Sequence, residues 1–132
     1  MHMDSKDKRI EKNKTLHASF YHAFQGFVTV FKEERNMKVH VLAGVCAVIA
    51  GLLFKLTASE WLWIALAIFV VIIIEVINTS LENMVDLATG CTYHPLGKKV
   101  KDMAATAVLI SAVFALVVGG IIFLPKVMHL WK

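Results

Sequence analysis

A set of acidic and polar side chains closes the most hydrophobic segment of the chain. The segment begins at Trp61, and its last part, residues 72–82, reads IIIEVINTSLE. At about 100° per residue, one helical face collects the polar side chains of Glu75, Asn78, Thr79, Glu82 and Asp86. A charge in hydrocarbon costs at least about 2.5 kcal/mol, so we interpret Glu75 as a functional residue. For Glu82 and Asp86, which lie nearer the end of the segment, simple solvation at a membrane interface is the alternative.

More charged residues are expected at the same level of the membrane. Glu33 and Glu34 come just before the first apolar segment, and Lys101 and Asp102 come just before the third. Carboxylates at this density repel one another unless a cation neutralises them, and hard oxygen ligands suit Mg²⁺. Because protein-bound Mg²⁺ often keeps coordination positions open for phosphates, the pattern predicts phosphate chemistry, with nearby lysines holding the remaining charge.

The composition predicts an integral membrane protein of one domain, since 58% of the 132 residues are hydrophobic. Three apolar runs, at about 37–56, 61–87 and 103–124, approach the roughly 20 residues that cross a bilayer as a helix. Pro125 is expected to stop the third run. Binding of nucleic acid is the alternative interpretation of the net charge of +4, and three spans argue against it.

The chain divides into four parts, and the predicted fold is all-α. Residues 1–14 form a polar tail, and residues 15–35 form a helix. That helix carries a phenylalanine stripe with helical spacing, at Phe20, Phe24, Phe27 and Phe31. The stripe predicts either a helix lying at the membrane interface or one packed on the other helices. Residues 36–126 hold the three spans, and residues 127–132 form a C-terminal tail.

The distribution of basic residues predicts the orientation in the membrane. Lysines and arginines concentrate before the first span and in the link at residues 88–102, of which Thr89–Lys99 is rich in turn-forming residues. The positive-inside rule then places the N-terminus and this link in the cytoplasm and the C-terminus outside. A polar hinge is expected at Glu33–Asn36, and Thr57–Glu60 has the pattern of a helix-capping box.

The stretches IEVINTSLENMVDL and YHPLGKKVKDMAATAVLISA resemble the small trimeric prokaryotic diacylglycerol kinases, most closely their Gram-positive branch, the undecaprenol kinases. The resemblance covers about residues 15–124. It implies a homotrimer in the bacterial cytoplasmic membrane, with an amphipathic surface helix and three transmembrane helices per subunit. It also implies ATP as phosphoryl donor, Mg²⁺ as cofactor and a membrane lipid alcohol as acceptor.

The same resemblance implies a role for each residue that matches the family pattern. Glu75 matches the general base, and Asn78 and Asp86 match polar residues that support the catalytic site. Glu34 and Glu82 match the pair that holds Mg²⁺ on the phosphates of ATP.

Further positions match the nucleotide-binding residues of the family. Lys101 and Asp102 match a pair that contacts ATP, and Tyr93 and His94 match the segment near the adenine. We include His22 of the surface helix in this nucleotide-binding set.

The lipid substrate is expected to be undecaprenol, with diacylglycerol as the alternative. An arginine and a serine of the diacylglycerol kinase surface helix have no clear counterparts where Thr15 and Ala23 stand, and Ala105 replaces a serine. These positions lie near the substrate in the relatives. Two alternatives from other classes of function would also account for a single membrane glutamate. They are a small proton-coupled transporter and a non-catalytic membrane scaffold.

Overall fold

The computed structural model describes residues 15–131. It contains four α-helices, which are α1 (Leu16–Glu33), α2 (Arg35–Leu53), α3 (Ala58–Thr89) and α4 (Pro95–His129). The last three are long and apolar enough to cross a membrane. The prediction of an all-helical membrane protein with three spans is therefore confirmed. The predicted polar tail at residues 1–14 lies outside the described residues, as does residue 132.

Helix α3 is the central element. It packs along α4 and also against α2, while α1 contacts α2 and, less extensively, α3. One face of α3 is buried at three- and four-residue intervals, at Ile64, Ala67, Val71, Glu75 and Asn78. Ile64 and Ala67 of this face form a core with Val118 and Ile122 of α4. The polar face predicted from the sequence is the continuation of this buried apolar stripe.

The connection between α2 and α3 is tight because the chain turns within a few residues. Gly51 allows the close approach, since a Cβ atom there would come within 2.6 Å of the Trp61 ring. The predicted capping box is confirmed, because the Thr57 side chain accepts from the backbone N–H of Glu60 while the Glu60 carboxylate accepts from the N–H of Thr57. This reciprocal pair fixes where α3 begins.

The connection between α3 and α4 is shorter than predicted. Helix α3 ends at Thr89 and is capped by Gly90, which has a positive φ of 60°. Helix α4 begins at Pro95, so the turn-rich loop expected to reach Lys99 ends at His94. Proline suits the first helical position because that position needs no backbone donor. The His94 ring completes the cap by accepting from the N–H of Leu96.

The third span does not stop at Pro125, contrary to the prediction. Helix α4 continues through Pro125 to His129, so much of the expected C-terminal tail is helical. Proline removes one backbone donor, a loss that membrane helices tolerate. Just beyond it, the Lys126 ammonium lies 3.0 Å from the Glu60 carboxylate and joins the end of α4 to the start of α3.

Candidate functional site

The buried face of α3 becomes polar within one helical turn. Glu75 is fully buried, with 0% of its surface exposed, and Asn78 and Thr79 are also buried. Within the described part of the chain, four side-chain oxygens here have no hydrogen-bond partner, namely both carboxylate oxygens of Glu75, Oδ1 of Asn78 and Oγ1 of Thr79. Each unsatisfied buried polar group costs about 1–3 kcal/mol. Oxygens in this state are free to accept hydrogen bonds from a ligand or a water.

Helix α2 supplies the neighbours of Glu75. The Nε2 atom of His40 lies 3.8 Å from Oε2 of Glu75. Two further carboxylates are close enough for their charges to act on Glu75. They belong to Glu34, the residue just before α2, and to Glu82 of α3. Glu34 and Glu82 therefore both influence the buried Glu75 carboxylate, while the convergence of the three carboxylates on a cation stays a prediction.

Glu34 owes its position to the break between the first two helices. It is the one residue between α1 and α2, with φ −99° and ψ 121°, so the predicted hinge at Glu33–Asn36 is narrower than expected. Its side chain makes no capping hydrogen bond. Because the Glu34 carboxylate does not cap α2, it remains available to a ligand.

A second group of polar side chains continues from Glu82 towards the end of α3. Nδ2 of Asn78 donates to Oε1 of Glu82 over 3.1 Å, which orients the Glu82 carboxylate. The charge of Glu82 also acts on Lys101 of α4. The Lys101 ammonium donates to Oδ1 of Asp86 over 2.6 Å, and so joins α4 to α3. Asp86 therefore holds Lys101, and its supporting role in catalysis stays a prediction.

Four of the predicted nucleotide-binding residues line a cavity between the end of α3 and the start of α4. The cavity measures about 250 Å³, and its lining includes Asp86, Tyr93, His94, Lys98, Lys101 and Asp102. Asp102 is paired with Lys98 one turn earlier on α4. An adjoining cavity of about 490 Å³ shares Thr92, His94 and Gly97. Two carboxylates and two ammonium groups thus face one opening.

His22 is not brought into either group by the contacts of the described residues. It is exposed on α1, with its ring 5.6 Å from that of Tyr21. Its assignment to the nucleotide-binding set remains a prediction.

Sequence reasoning missed His40. The usable signal was its spacing on α2. Met37, His40 and Gly44 recur at three and four residues, the spacing of one helical face. Met37 is fully buried, and a Cβ atom on Gly44 would lie 3.3 Å from Ile68 of α3. A histidine between these two positions therefore turns towards α3.

The oxygen ligands on Glu82 and its neighbours are of the type that suits a hard cation shared with a phosphate ligand. Among residues 15–131, no three Asp, Glu, His or Cys side chains converge to hold a metal ion alone. Mg²⁺ does not need such a group, because it commonly binds one or two carboxylates together with substrate phosphates and water. Glu34 and Glu82 supply two carboxylates, and the unpaired Oδ1 of Asn78 is a further oxygen near Glu82.

Comparison with known proteins identifies the family. Residues 21–123 match the prokaryotic diacylglycerol kinase family. The undecaprenol kinase of Bacillus subtilis (strain 168) is 43% identical over 124 residues, which cover 94% of this chain and 99% of that protein. The chain belongs to the prokaryotic diacylglycerol kinase family. The resemblance inferred from the motifs around Glu75 and Lys101 is therefore confirmed.

Other members of the diacylglycerol kinase family are similar over most of this chain. A diacylglycerol kinase of Synechocystis sp. (strain ATCC 27184 / PCC 6803 / Kazusa) is 41% identical over 115 residues, 87% of this chain and 66% of that protein. A diacylglycerol kinase of Helicobacter pylori (strain J99 / ATCC 700824) is 37% identical over 108 residues, 81% of this chain and 83% of that protein. The match to the family thus includes enzymes named for two different lipids.

Replacing Glu75 by methionine should stabilise the folded protein. The substitution removes two buried oxygens that have no partner while roughly keeping the side-chain volume, so the apparent unfolding midpoint in detergent should rise by about 3 °C or more. Glu60→Met is the matched control on the same helix, and it should lower the midpoint because Glu60 caps α3 and pairs with Lys126. A midpoint for Glu75→Met at or below that of the wild type would show that the Glu75 carboxylate is satisfied in the folded protein.

Proposed function

We propose that this membrane kinase transfers the γ-phosphoryl group of ATP to the hydroxyl group of undecaprenol and forms undecaprenyl phosphate. The observation that carries the proposal is the buried Glu75 carboxylate, unpaired among the described residues and followed on the same face of α3 by Asn78 and Glu82. The similarity to an undecaprenol kinase over nearly the whole chain favours this lipid. The 41% identity with the Synechocystis diacylglycerol kinase supports the alternative, phosphorylation of diacylglycerol to phosphatidic acid.

Nucleotide would enter at the end of the bundle where α3 meets α4. The cavities beside Tyr93 and His94 offer room for the base. Lys101 donates to Asp86, and the charge of Glu82 also acts on it. Its ammonium would therefore offset the charge of a phosphate bound beside these acids. Bound in this way, the γ-phosphate would lie towards Glu82 and, deeper along the same helical face, towards Glu75.

Mg²⁺ is the metal we assign to the site, held by Glu34 and Glu82. When bound, it would neutralise phosphate charge and make the γ-phosphorus a better electrophile. The two carboxylates come from opposite sides of the α2–α3 contact, so both helices must be in place for metal binding.

Glu75 is the general base in this proposal. The lipid hydroxyl gives its proton to a Glu75 carboxylate oxygen while its oxygen forms a bond to the γ-phosphorus. The bond from that phosphorus to the β,γ-bridging oxygen breaks, and ADP leaves with the bond electrons. Phosphoryl transfer depends mainly on positioning and charge stabilisation, and both requirements are served by a base held rigidly in a buried helix face.

The lipid chain has an apolar route to this base. A groove of about 700 Å³ runs between α2 and α4 over the floor formed by α3. His40 lines one end of it, and Val71, one turn before Glu75, lies on its floor. A lipid alcohol entering sideways from the bilayer would keep its chain in this groove and present its hydroxyl at Glu75.

We also propose the assembly and orientation that the family resemblance implies. The protein forms a homotrimer in the bacterial cytoplasmic membrane, with the N-terminus in the cytoplasm and the C-terminus outside. Exposed apolar side chains of α3 such as Phe69 and Ile73 are available to contact lipid or another subunit. Helix α1 would lie at the cytoplasmic interface, since Phe20 and Phe24 are largely exposed in the single chain.

Glu75→Gln should abolish most turnover without loss of nucleotide binding. An amide cannot accept the alcohol proton, so kcat should fall by about 10²–10⁴-fold while the affinity for Mg²⁺–ATP changes little. Transfer of labelled phosphate to lipid in mixed micelles measures kcat, and binding of a non-hydrolysable ATP analogue measures affinity. Turnover near that of the wild type would remove Glu75 as the base.

A direct comparison of two lipids tests the choice of substrate. At equal mole fractions in mixed micelles, kcat/KM should be at least about ten-fold higher for undecaprenol than for diacylglycerol, a difference of roughly 1.4 kcal/mol in transition-state binding. The reverse order would make the protein a diacylglycerol kinase. Substrate-driven proton flux in liposomes, with no phosphorylated lipid, would instead support the proton-coupled transporter.

A further inference from the structure

His40 is a histidine inside a membrane-spanning helix, and its place there needs an explanation. It lies little more than one turn after the start of α2, and 18% of its side chain is exposed, whereas the Glu75 side chain beside it is 1% exposed. Ionisable residues within membrane spans are rare and tend to mark proton or substrate pathways. Packing alone would be served more cheaply by leucine or phenylalanine.

The position of His40 relative to Glu75 suggests what it does. Its Nε2 atom is 3.8 Å from Oε2 of Glu75, beyond direct hydrogen-bond distance but within reach of a small ring movement or one bridging water. The same ring lines the apolar groove, so His40 touches both the base and the space assigned to the lipid chain. Among the described residues, the groups whose charge acts on Glu75 are the acids Glu34 and Glu82.

A proton on Glu75 needs a way out after each turnover. Both carboxylate oxygens are buried without a hydrogen-bond partner in the described chain, and the proposed function assigns the Glu34 and Glu82 carboxylates to Mg²⁺. On α4, Lys101 is bound to Asp86 and Lys98 to Asp102. A neutral imidazole is a suitable acceptor because it titrates between pH 5 and 8.

We propose that His40 is a positioning residue for Glu75 and takes from it the proton that the lipid hydroxyl has given up. This inference rests on the proposed role of Glu75 as base. In the step after phosphoryl transfer, the proton passes from Oε2 of Glu75 to the lone pair of Nε2 of His40. Glu75 returns to the carboxylate, and His40 becomes an imidazolium that releases the proton to water after the product has left.

The test compares pH profiles of kcat for wild type, His40→Gln and the control His129→Gln, at saturating Mg²⁺–ATP and undecaprenol. His129 is an exposed histidine at the end of α4, far from Glu75 in the fold. In the wild type and the control, kcat should rise with pH between about 5 and 8, as the acceptor imidazole loses its proton. In His40→Gln, kcat at neutral pH should fall by at least about ten-fold, and its rise with pH should disappear. The KM values for both substrates should stay within about two-fold of the wild type.

A purely structural role for His40 predicts a different set of results. The rise of kcat with pH would then survive in His40→Gln, or the variant would match the wild type, and either result overturns the proposal. If His40→Gln does not fold, His40→Ala assayed with added imidazole replaces it, and recovery of kcat that grows with free imidazole supports the proposal while its absence contradicts it. A wild-type profile that is flat between about pH 5 and 8 contradicts it without any variant.

Failure of this inference is distinguishable from failure of the proposed function. If Glu75→Gln is inactive while His40→Gln keeps the wild-type kcat and pH profile, Glu75 remains the base and only the role of His40 is lost. If Glu75→Gln is active, the base itself is assigned wrongly, whatever His40→Gln shows.

Discussion

A carboxylate buried in an apolar helix face is the constraint on which the rest of this structure depends. Glu75 has no exposed surface, and neither of its oxygens has a hydrogen-bond partner among the described residues. Holding it there costs a few kcal/mol. The buried apolar side chains before it on α3, such as Ile64 and Val71, help to offset this cost by packing against the neighbouring helices. A substrate hydroxyl or a water would satisfy the carboxylate, so the cost in the free protein favours binding.

The central position of α3 explains how a lipid and a nucleotide can meet in so small a protein. Helices α2 and α4 both pack on α3, and the groove between them has α3 as its floor. The groove leads along this face of α3 to Glu75. About 10 Å further along the helix, the same face carries Glu82 and the Lys101–Asp86 pair. In the proposed mechanism, the two substrates approach one line of side chains from opposite directions, and the rigid helix sets the distance between them.

The sequence predicted what depends on local pattern and missed what depends on packing between helices. The polar face at Glu75 could be predicted because helical periodicity places those residues together wherever the helix lies. The pairing of Lys101 with Asp86 could not, since fifteen residues and a turn separate them and only the α3–α4 contact joins them. His40 was missed for the same reason, because only the packing of α2 on α3 brings it close to Glu75. The stop at Pro125 was a local rule that the membrane helix overrides.

Metal-dependent nucleotide affinity tests most directly whether acids from separate helices form one site. A non-hydrolysable ATP analogue would be titrated with Mg²⁺ and with EDTA into wild type, Glu34→Gln, Glu82→Gln and the neighbouring control Glu33→Gln, whose side chain is exposed on α1. The account predicts that Glu34→Gln and Glu82→Gln each lose at least about ten-fold in Mg²⁺-dependent affinity, roughly 1.4 kcal/mol, while Glu33→Gln and the metal-free values stay unchanged. Equal Mg²⁺-dependent affinities in all four proteins would contradict it.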